Sequence, residues 1–263
     1  MIGYVDIHAH VLPGIDDGPS RVDDALAMLR AAAGCGIATI VATPHVRSDF
    51  PDVDVHQLAD RCAEMRGRLA GEAIGLELAC GAEVSLIWAI EASDEELRLA
   101  SYGQRGSDLL IETPSTTTAG LDSLLYELQV RGFRITLAHP ERSRDFQRDP
   151  APLAELVRRG LLLQVNADSL LGDERRSATS RLGVQLCVDG LVHALASDSH
   201  RAESWRPVTR LPEAVAAAAS LLGPDRARWM SADAPAAILK GTELPEAPPV
   251  LAARRRRRAW RRP

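Results

Sequence analysis

Tyr4-Val5-Asp6-Ile7-His8-Ala9-His10 is an apolar run that closes on two histidines one residue apart. In a strand, residues i and i+2 face the same way, so both imidazoles can reach one cation. A single H-x-H pair arises often by chance. Here the pattern recurs down the chain. Thr39–His45, Leu76–Glu83, Asp108–Glu112, Arg134–His139 and His193–Asp198 are further short apolar runs, each ending in His, Glu or Asp. Leu161–Asn166 is a seventh run of the same kind, ending in an amide. Short apolar runs bounded by polar residues read as buried strands.

Helical patterns fill most of the intervals. Val22, Leu26 and Leu29 share a face, with Ser20 placed to cap the helix and Gly34 or Gly36 to stop it. Val55–Leu69, Leu121–Arg131 and Pro152–Arg159 follow the same logic, and a short helix is expected near Asp94–Ala100. Alternation of this sort predicts parallel strands with helical crossovers. The reactive side chains fall at the carboxyl ends of the strands, the face where (β/α) barrels gather catalytic groups. An open sheet would spread those ends along a line, whereas a barrel brings them into one circle. The expected fold class is therefore α/β, with the sheet closed.

Composition agrees with a soluble globular protein. The 263 residues are 46% apolar and 25% charged, enough for one large domain. No apolar run reaches the length of a membrane span, and the first residues lack the basic-then-apolar pattern of a signal peptide. Cys35, Cys62, Cys80 and Cys187 show no zinc-knuckle or redox spacing, so they read as reduced thiols of a cytoplasmic protein. The barrel is expected to span 1–244, followed by a tail, 245–263, that turns to Pro and Ala and then to Arg. Seven arginines lie in Arg254–Pro263, so the body alone carries about −12 rather than the overall −5. An acidic body argues against nucleic-acid binding. The tail reads as a solvated, disordered end. Its other readings are contact with an anionic membrane at the inner face, with Trp260 at the interface, and, more weakly because the body is acidic, nucleic-acid binding by the tail. Oligomeric state has no signature in the sequence.

The strand ends supply the chemistry. After His8 and His10 comes Gly14-Ile15-Asp16-Asp17-Gly18-Pro19, a tight loop whose adjacent carboxylates call for a counter-charge. His45, Glu83, Glu112, His139, Asp198 and His200 follow. Each alone is more often structural than functional, but placement at six of seven strand ends is improbable by chance. Histidines with carboxylates suit Mn, Fe or Zn, and Mg remains open. Their number exceeds the needs of one metal and suits two or three divalent cations clamping a phosphate.

Taken together, these residues resemble a known family. Asp6-Ile7-His8-Ala9-His10, the Asp-Asp-Gly-Pro loop, Thr43-Pro44-His45, Gly81-Ala82-Glu83, His139-Pro140-Glu141-Arg142 and Ala196-Ser197-Asp198-Ser199-His200 resemble the polymerase and histidinol phosphatase (PHP) superfamily. Within it the chain looks like the bacterial capsule- and exopolysaccharide-associated tyrosine phosphatases. The resemblance implies a distorted (β/α)7 barrel with a trinuclear centre, often manganese. It implies that His8, His10, Glu83 and Asp198 hold one metal. Glu83 then bridges to a second with Glu112 and His139, and Asp17, His45 and His200 hold a third. Arg142 and Arg206 match arginines that bind the substrate phosphate, a task suited to a planar guanidinium. The implied reaction is in-line attack by a metal-bound hydroxide without a covalent enzyme intermediate, with Asp198 or a nearby histidine as candidates for proton handling. The implied substrate is phosphotyrosine protein, such as the tail of a membrane-associated tyrosine kinase. The loop Val46-Arg47-Ser48-Asp49-Phe50-Pro51 departs from the family pattern.

Three competitors remain. Cys62 to Arg68 has the C-x5-R spacing of cysteine phosphatases, but the segment reads as helix and follows no strand. A small-molecule phosphatase of histidinol-phosphate type would use the same metals. A non-catalytic phosphate-binding module would be expected to have lost ligands, and all nine positions are filled.

Overall fold

The computed structural model describes residues 3–116, 120–171, 177–203 and 206–251. Its strands are β1 (Tyr4–Ala9), β2 (Ile37–Ala42), β3 (His45–Val46), β4 (Glu77–Cys80), β5 (Glu83–Ser85), β6 (Asp108–Glu112), β7 (Arg134–Ala138), β8 (Leu162–Asn166) and β9 (Ala194–Ala196). Every pairing is parallel. One sheet runs β1-β2-β4 and the other β3-β5-β6-β7-β8-β9.

The two sheets are halves of one ring. β3 continues the line of β2 after Thr43-Pro44, and β5 continues β4 after Gly81-Ala82. The sequence pattern joins each pair into one strand, and the structure breaks both. Proline has no N–H to give a ladder, so β2 stops before Pro44. A Cβ on Gly81 would lie 3.2 Å from Val41 Cγ1 and 3.4 Å from Tyr102 Cδ1, so the chain is pressed against its neighbours there. The Glu83 amide donates to the Pro44 carbonyl (3.1 Å) and carries the pairing across the break. The last gap lies between β9 and β1. There the Asp198 amide donates to the His8 carbonyl (2.9 Å) and the His10 amide to the Ser199 carbonyl (2.8 Å). Asp6 Oδ1 also accepts from the Ser197 amide (3.0 Å). Counting the broken pairs once, nine strands occupy seven positions and the barrel closes.

Two apolar layers hold this ring. Outside it, Leu26 and Leu29 of helix Val22–Gly34, Met65 and Leu69 of Leu58–Gly71, Leu125 and Leu128 of Leu121–Val130, and Leu211 and Leu222 of Arg210–Leu222 pack on the strands. Inside, Val5, Ile7, Val41, Leu110, Ala138, Leu162, Ala194 and Ala196 surround Tyr102 and Ile238. The small side chains of β7 and β9 leave room for the Tyr102 ring, whose hydroxyl donates to the Ile7 carbonyl (3.0 Å). The barrel is thus a filled core beneath the histidines, as parallel barrels require.

Helix ends are set locally. Asp94–Ala100 begins in a capping box between Ser93 and Glu96. Val22–Gly34 has Arg21 at its N-cap and no side-chain cap, so Ser20 does not serve there. Packing continues past residue 244: the Trp229 indole donates to the Pro245 carbonyl (2.9 Å) and the Leu251 amide to the Leu222 carbonyl (3.0 Å). The arginine tail, 252–263, lies outside the described residues.

Tyr102→Phe removes one buried hydrogen bond and leaves the ring in place. The expected cost is about 1 kcal/mol, read as a lower urea midpoint at unchanged m-value.

Candidate metal centre

The carboxyl ends of the strands converge on Glu83, at the start of β5 and 1% exposed. Its Oε2 makes no hydrogen bond. Three imidazole nitrogens face that oxygen instead: His45 Nδ1 at 3.0 Å, His8 Nε2 at 3.2 Å and His10 Nε2 at 3.5 Å. Oε1 meets His139 Nε2 at 2.8 Å. Burial works to raise this carboxyl. The imidazoles of His8, His10, His139 and His45 outweigh it and hold Glu83 well below the usual carboxylate range.

All nine residues singled out in the sequence as candidate ligands lie in this bowl. Their ligand atoms fall into four overlapping groups, each within 4.8 Å: His8-Glu83-His139, His8-His10-Asp198, His45-Glu83-Glu112 and His10-Asp17-His45-His200. The partition differs in detail from the one implied by resemblance. Glu112 groups with His45 rather than with His139, and His10 joins Asp17, His45 and His200. Glu112 is also held by Arg47, whose Nη1 reaches both its oxygens at 2.7 and 3.0 Å. Arg47 belongs to the divergent loop after His45, and Phe50 of that loop stacks on the His45 ring (5.2 Å, 7°).

The remaining placements follow from backbone geometry. Asp198 has φ of 50° and His139 φ of 37°, left-handed values that are costly for these residues. The His139 conformation is doubly unusual because proline follows it. Burial would raise Asp198, but His8, His10, His139 and Arg206 together keep it well below its ordinary value. Arg142 Nη1 and Arg206 Nη1 approach Asp198 Oδ2 at 3.3 and 2.5 Å, so both guanidiniums stand at the bowl.

Several supporting groups carry no signal of the strand-end kind. Asp16 Oδ2 meets His10 Nδ1 at 2.7 Å and accepts from the His45 amide (3.1 Å). The adjacent acids of the loop therefore divide their work: Asp17 faces His200 (3.2 Å) while Asp16 orients His10 from behind. Gln164 and Asn166 of β8 reach His8 and Asp198. Their spacing of two at a strand end was the one available clue, since it puts both amides on the bowl's face.

These residues fit divalent cations. Buried carboxylate and imidazole atoms aim at common points, and Glu83 Oε2, Asp17 Oδ1 and His45 Nδ1 are buried without hydrogen bonds. Orphaned acceptors of this kind are costly unless a charge completes them. Cys62 does not compete as a nucleophile. It is fully buried in helix Leu58–Gly71, and contact with Cys80 and burial push its thiol far up.

The capsular polysaccharide synthesis, CpsB/CapC, family model matches residues 4–240. The chain belongs to this family. It is 31% identical over 201 residues to tyrosine-protein phosphatase YwqE of Bacillus subtilis, covering 76% of this chain and 78% of that one. It is 32% identical over 197 residues to the putative tyrosine-protein phosphatase CapC of Staphylococcus aureus, covering 74% and 76%. Among solved structures it is similar to one from a study of YwqE and of CpsB from Streptococcus pneumoniae, described as unique metal-dependent tyrosine phosphatases. That match has TM-score 0.81 at 27% identity and covers 94% of this chain and 98% of the other. An inactive dihydroorotase-like domain of Chaetomium thermophilum shares the fold alone, with TM-score 0.60 at 13% identity over 91% of this chain and 80% of that one.

Cation binding should expel protons. Burial lowers the His10 imidazole, but Asp16, Asp198 and Glu83 outweigh it and raise it well above its ordinary value, so the surroundings favour the protonated ring. A cation needs the bare nitrogen, so loading releases protons and weakens as pH falls. Calorimetry of manganese binding in two buffers of different ionisation enthalpy should give a buffer-dependent heat. Identical heats would contradict the assignment.

Proposed function

We propose that this protein is a metal-dependent phosphomonoesterase that acts on phosphotyrosine in proteins, in the regulation of capsule or exopolysaccharide synthesis. The single observation that carries the reading is the convergence of four imidazoles on the buried Glu83 carboxylate. Family membership and the phosphatase names of the relatives support the reaction class.

His8, His10, Asp17, His45, Glu83, Glu112, His139, Asp198 and His200 would hold the cations, two or three in number and manganese for preference. When bound, such ions activate water as a nucleophile and offset charge on phosphate oxygens. The chain's own residues do the rest. Asp16 and the Asp198 carbonyl engage the Nδ1 atoms of His10 and His200, so each ring presents Nε2 to the bowl. Arg142 and Arg206 rest on Asp198 and are placed to take up phosphate oxygens as substrate arrives. Arg142 is half-exposed and faces incoming substrate, whereas Arg206 is largely buried and fixes orientation. Asp198 or a nearby histidine would handle protons within the bowl. Phe50, stacked on His45, offers an aromatic edge beside the site for a phenolic ring.

Among the described residues no helix is long and apolar enough to cross a membrane. The seven-arginine tail with Trp260 supports peripheral contact with an anionic inner membrane face, which would bring the site to a membrane-bound kinase tail.

Manganese-loaded protein should hydrolyse phosphotyrosine peptides with higher kcat/KM than histidinol phosphate. The reverse order would assign it to small-molecule chemistry, and no turnover of either would make it a binding module. Arg206→Ala should lower kcat/KM by roughly 10²-fold, while Cys62→Ser should leave it unchanged.

A further inference from the structure

His8, Gln164, Asn166 and Asp198 form an unbroken buried chain. His8 Nδ1 lies 2.9 Å from Gln164 Oε1, Gln164 Nε2 lies 2.8 Å from Asn166 Oδ1, and Asn166 Nδ2 lies 2.6 Å from Asp198 Oδ2. None of the four is more than 3% exposed. Sequence separates His8 from Gln164 by 156 positions and Asn166 from Asp198 by 32.

We infer that Gln164 and Asn166 are positioning residues that transmit the acceptor character of Asp198 to His8, fixing His8 with its proton on Nδ1 and its Nε2 bare toward the cations. This inference rests on the metal-centre reading. Polarity is set from the acidic end. A carboxylate oxygen only accepts, so Asn166 must turn its NH2 to Asp198. Its Oδ1 then faces Gln164, which must answer with its own NH2. Gln164 Oε1 is left for His8, and Nδ1 must therefore be the donor.

The opposite polarity is excluded by contact. If Gln164 turned its NH2 to His8, its oxygen would face Asn166, which would have to reverse in turn. Asn166 Oδ1 would then meet Asp198 Oδ2 at 2.6 Å, two buried acceptors with no proton between them. Both amides are buried, so an unmatched arrangement is costly and one polarity survives. The scaffold around Asn166 is equally fixed. Its backbone amide donates to Glu141 Oε1 (2.9 Å), which also accepts from Ser169 Oγ (2.8 Å). This gives Glu141, the acid of the His-Pro-Glu-Arg segment, a task that does not involve touching substrate.

The relay also ties two ligands together. His8 Nε2 lies 3.5 Å from Asp198 Oδ1, so the same pair meets directly in the bowl and indirectly through the amides behind it. A break at either amide cuts the link between the two ends. The losses from Gln164 and Asn166 substitutions should consequently fail to add.

The test uses full-length protein, loaded with zinc because it is diamagnetic, and 15N spectra of the His8 ring. Wild type should show the proton on Nδ1. Gln164→Met, close in size but without the acceptor, should lose that single tautomer and bind zinc about 10- to 100-fold more weakly. Gln164→Glu keeps an acceptor for His8 and should keep the Nδ1 proton, although it takes away the donor that Asn166 Oδ1 requires. The double variant Gln164→Met with Asn166→Leu should bind zinc no more weakly than the weaker single variant. Retention of the Nδ1 proton and of wild-type affinity in Gln164→Met would overturn the inference, as would additive losses in the double variant. Should Asn166→Leu fail to fold, the Gln164 pair alone decides. The Nδ1 proton should also be present in metal-free wild type, whatever the state of Nε2, so a protein that takes up no zinc would defeat the metal reading and leave the relay to stand or fall by itself.

Discussion

A carboxylate taken wholly out of water is the constraint on which this molecule turns. Burying such a charge costs several kcal/mol unless it is matched. Glu83 is matched by four imidazoles from three separate stretches of chain, carried by or directly following β1, β3 and β7. Those stretches meet only if the ring of strands is complete. The hydrogen bonds from Asp198 to His8 and from His10 to Ser199 are thus as much part of the site as of the fold. Closure places Asp198 and His200 beside His8 and His10. Without it the bowl would lose one wall and two candidate ligands.

Among the described residues, three of the five non-glycine residues in left-handed backbone conformations, His139, Asp198 and Arg206, stand at the same rim. His139 and Asp198, both in left-handed backbone conformations, end the strand positions of β7 and β9. A regular strand would send alternate side chains to opposite faces, whereas these two turns bring theirs back over the barrel mouth. Beneath them the interior is filled by apolar side chains around Tyr102. The division is physical: a packed lower barrel gives rigidity, and a polar rim above it gathers the imidazoles and carboxylates that a cation would join.

Much of this is legible in the residues. A histidine or acid ending an apolar run marks both the strand and the direction of its side chain, so Glu83, Glu112, His139 and Asp198 stand out in the sequence alone. The supporting residues do not. Gln164 lies inside an apolar strand and is uncharged, and Asp16 is indistinguishable in sequence from its neighbour Asp17. Their roles depend on which atom of an imidazole they touch, and local spacing carries no such information. The breaks after β2 and β4 are hidden for a related reason. Periodicity runs through Thr43-Pro44 and Gly81-Ala82 unchanged, and only packing against Tyr102 and the missing proline N–H interrupt the ladder. Arg47 on Glu112 comes from the loop that departs from the family pattern, where resemblance offers no guide.

Anomalous diffraction from manganese-loaded crystals tests the central claim most directly. The account predicts two or three peaks, at least one within bonding distance of Glu83 Oε2 and all enclosed by the nine ligands. A map with no peak in the bowl, or with manganese bound only at surface carboxylates, would contradict it.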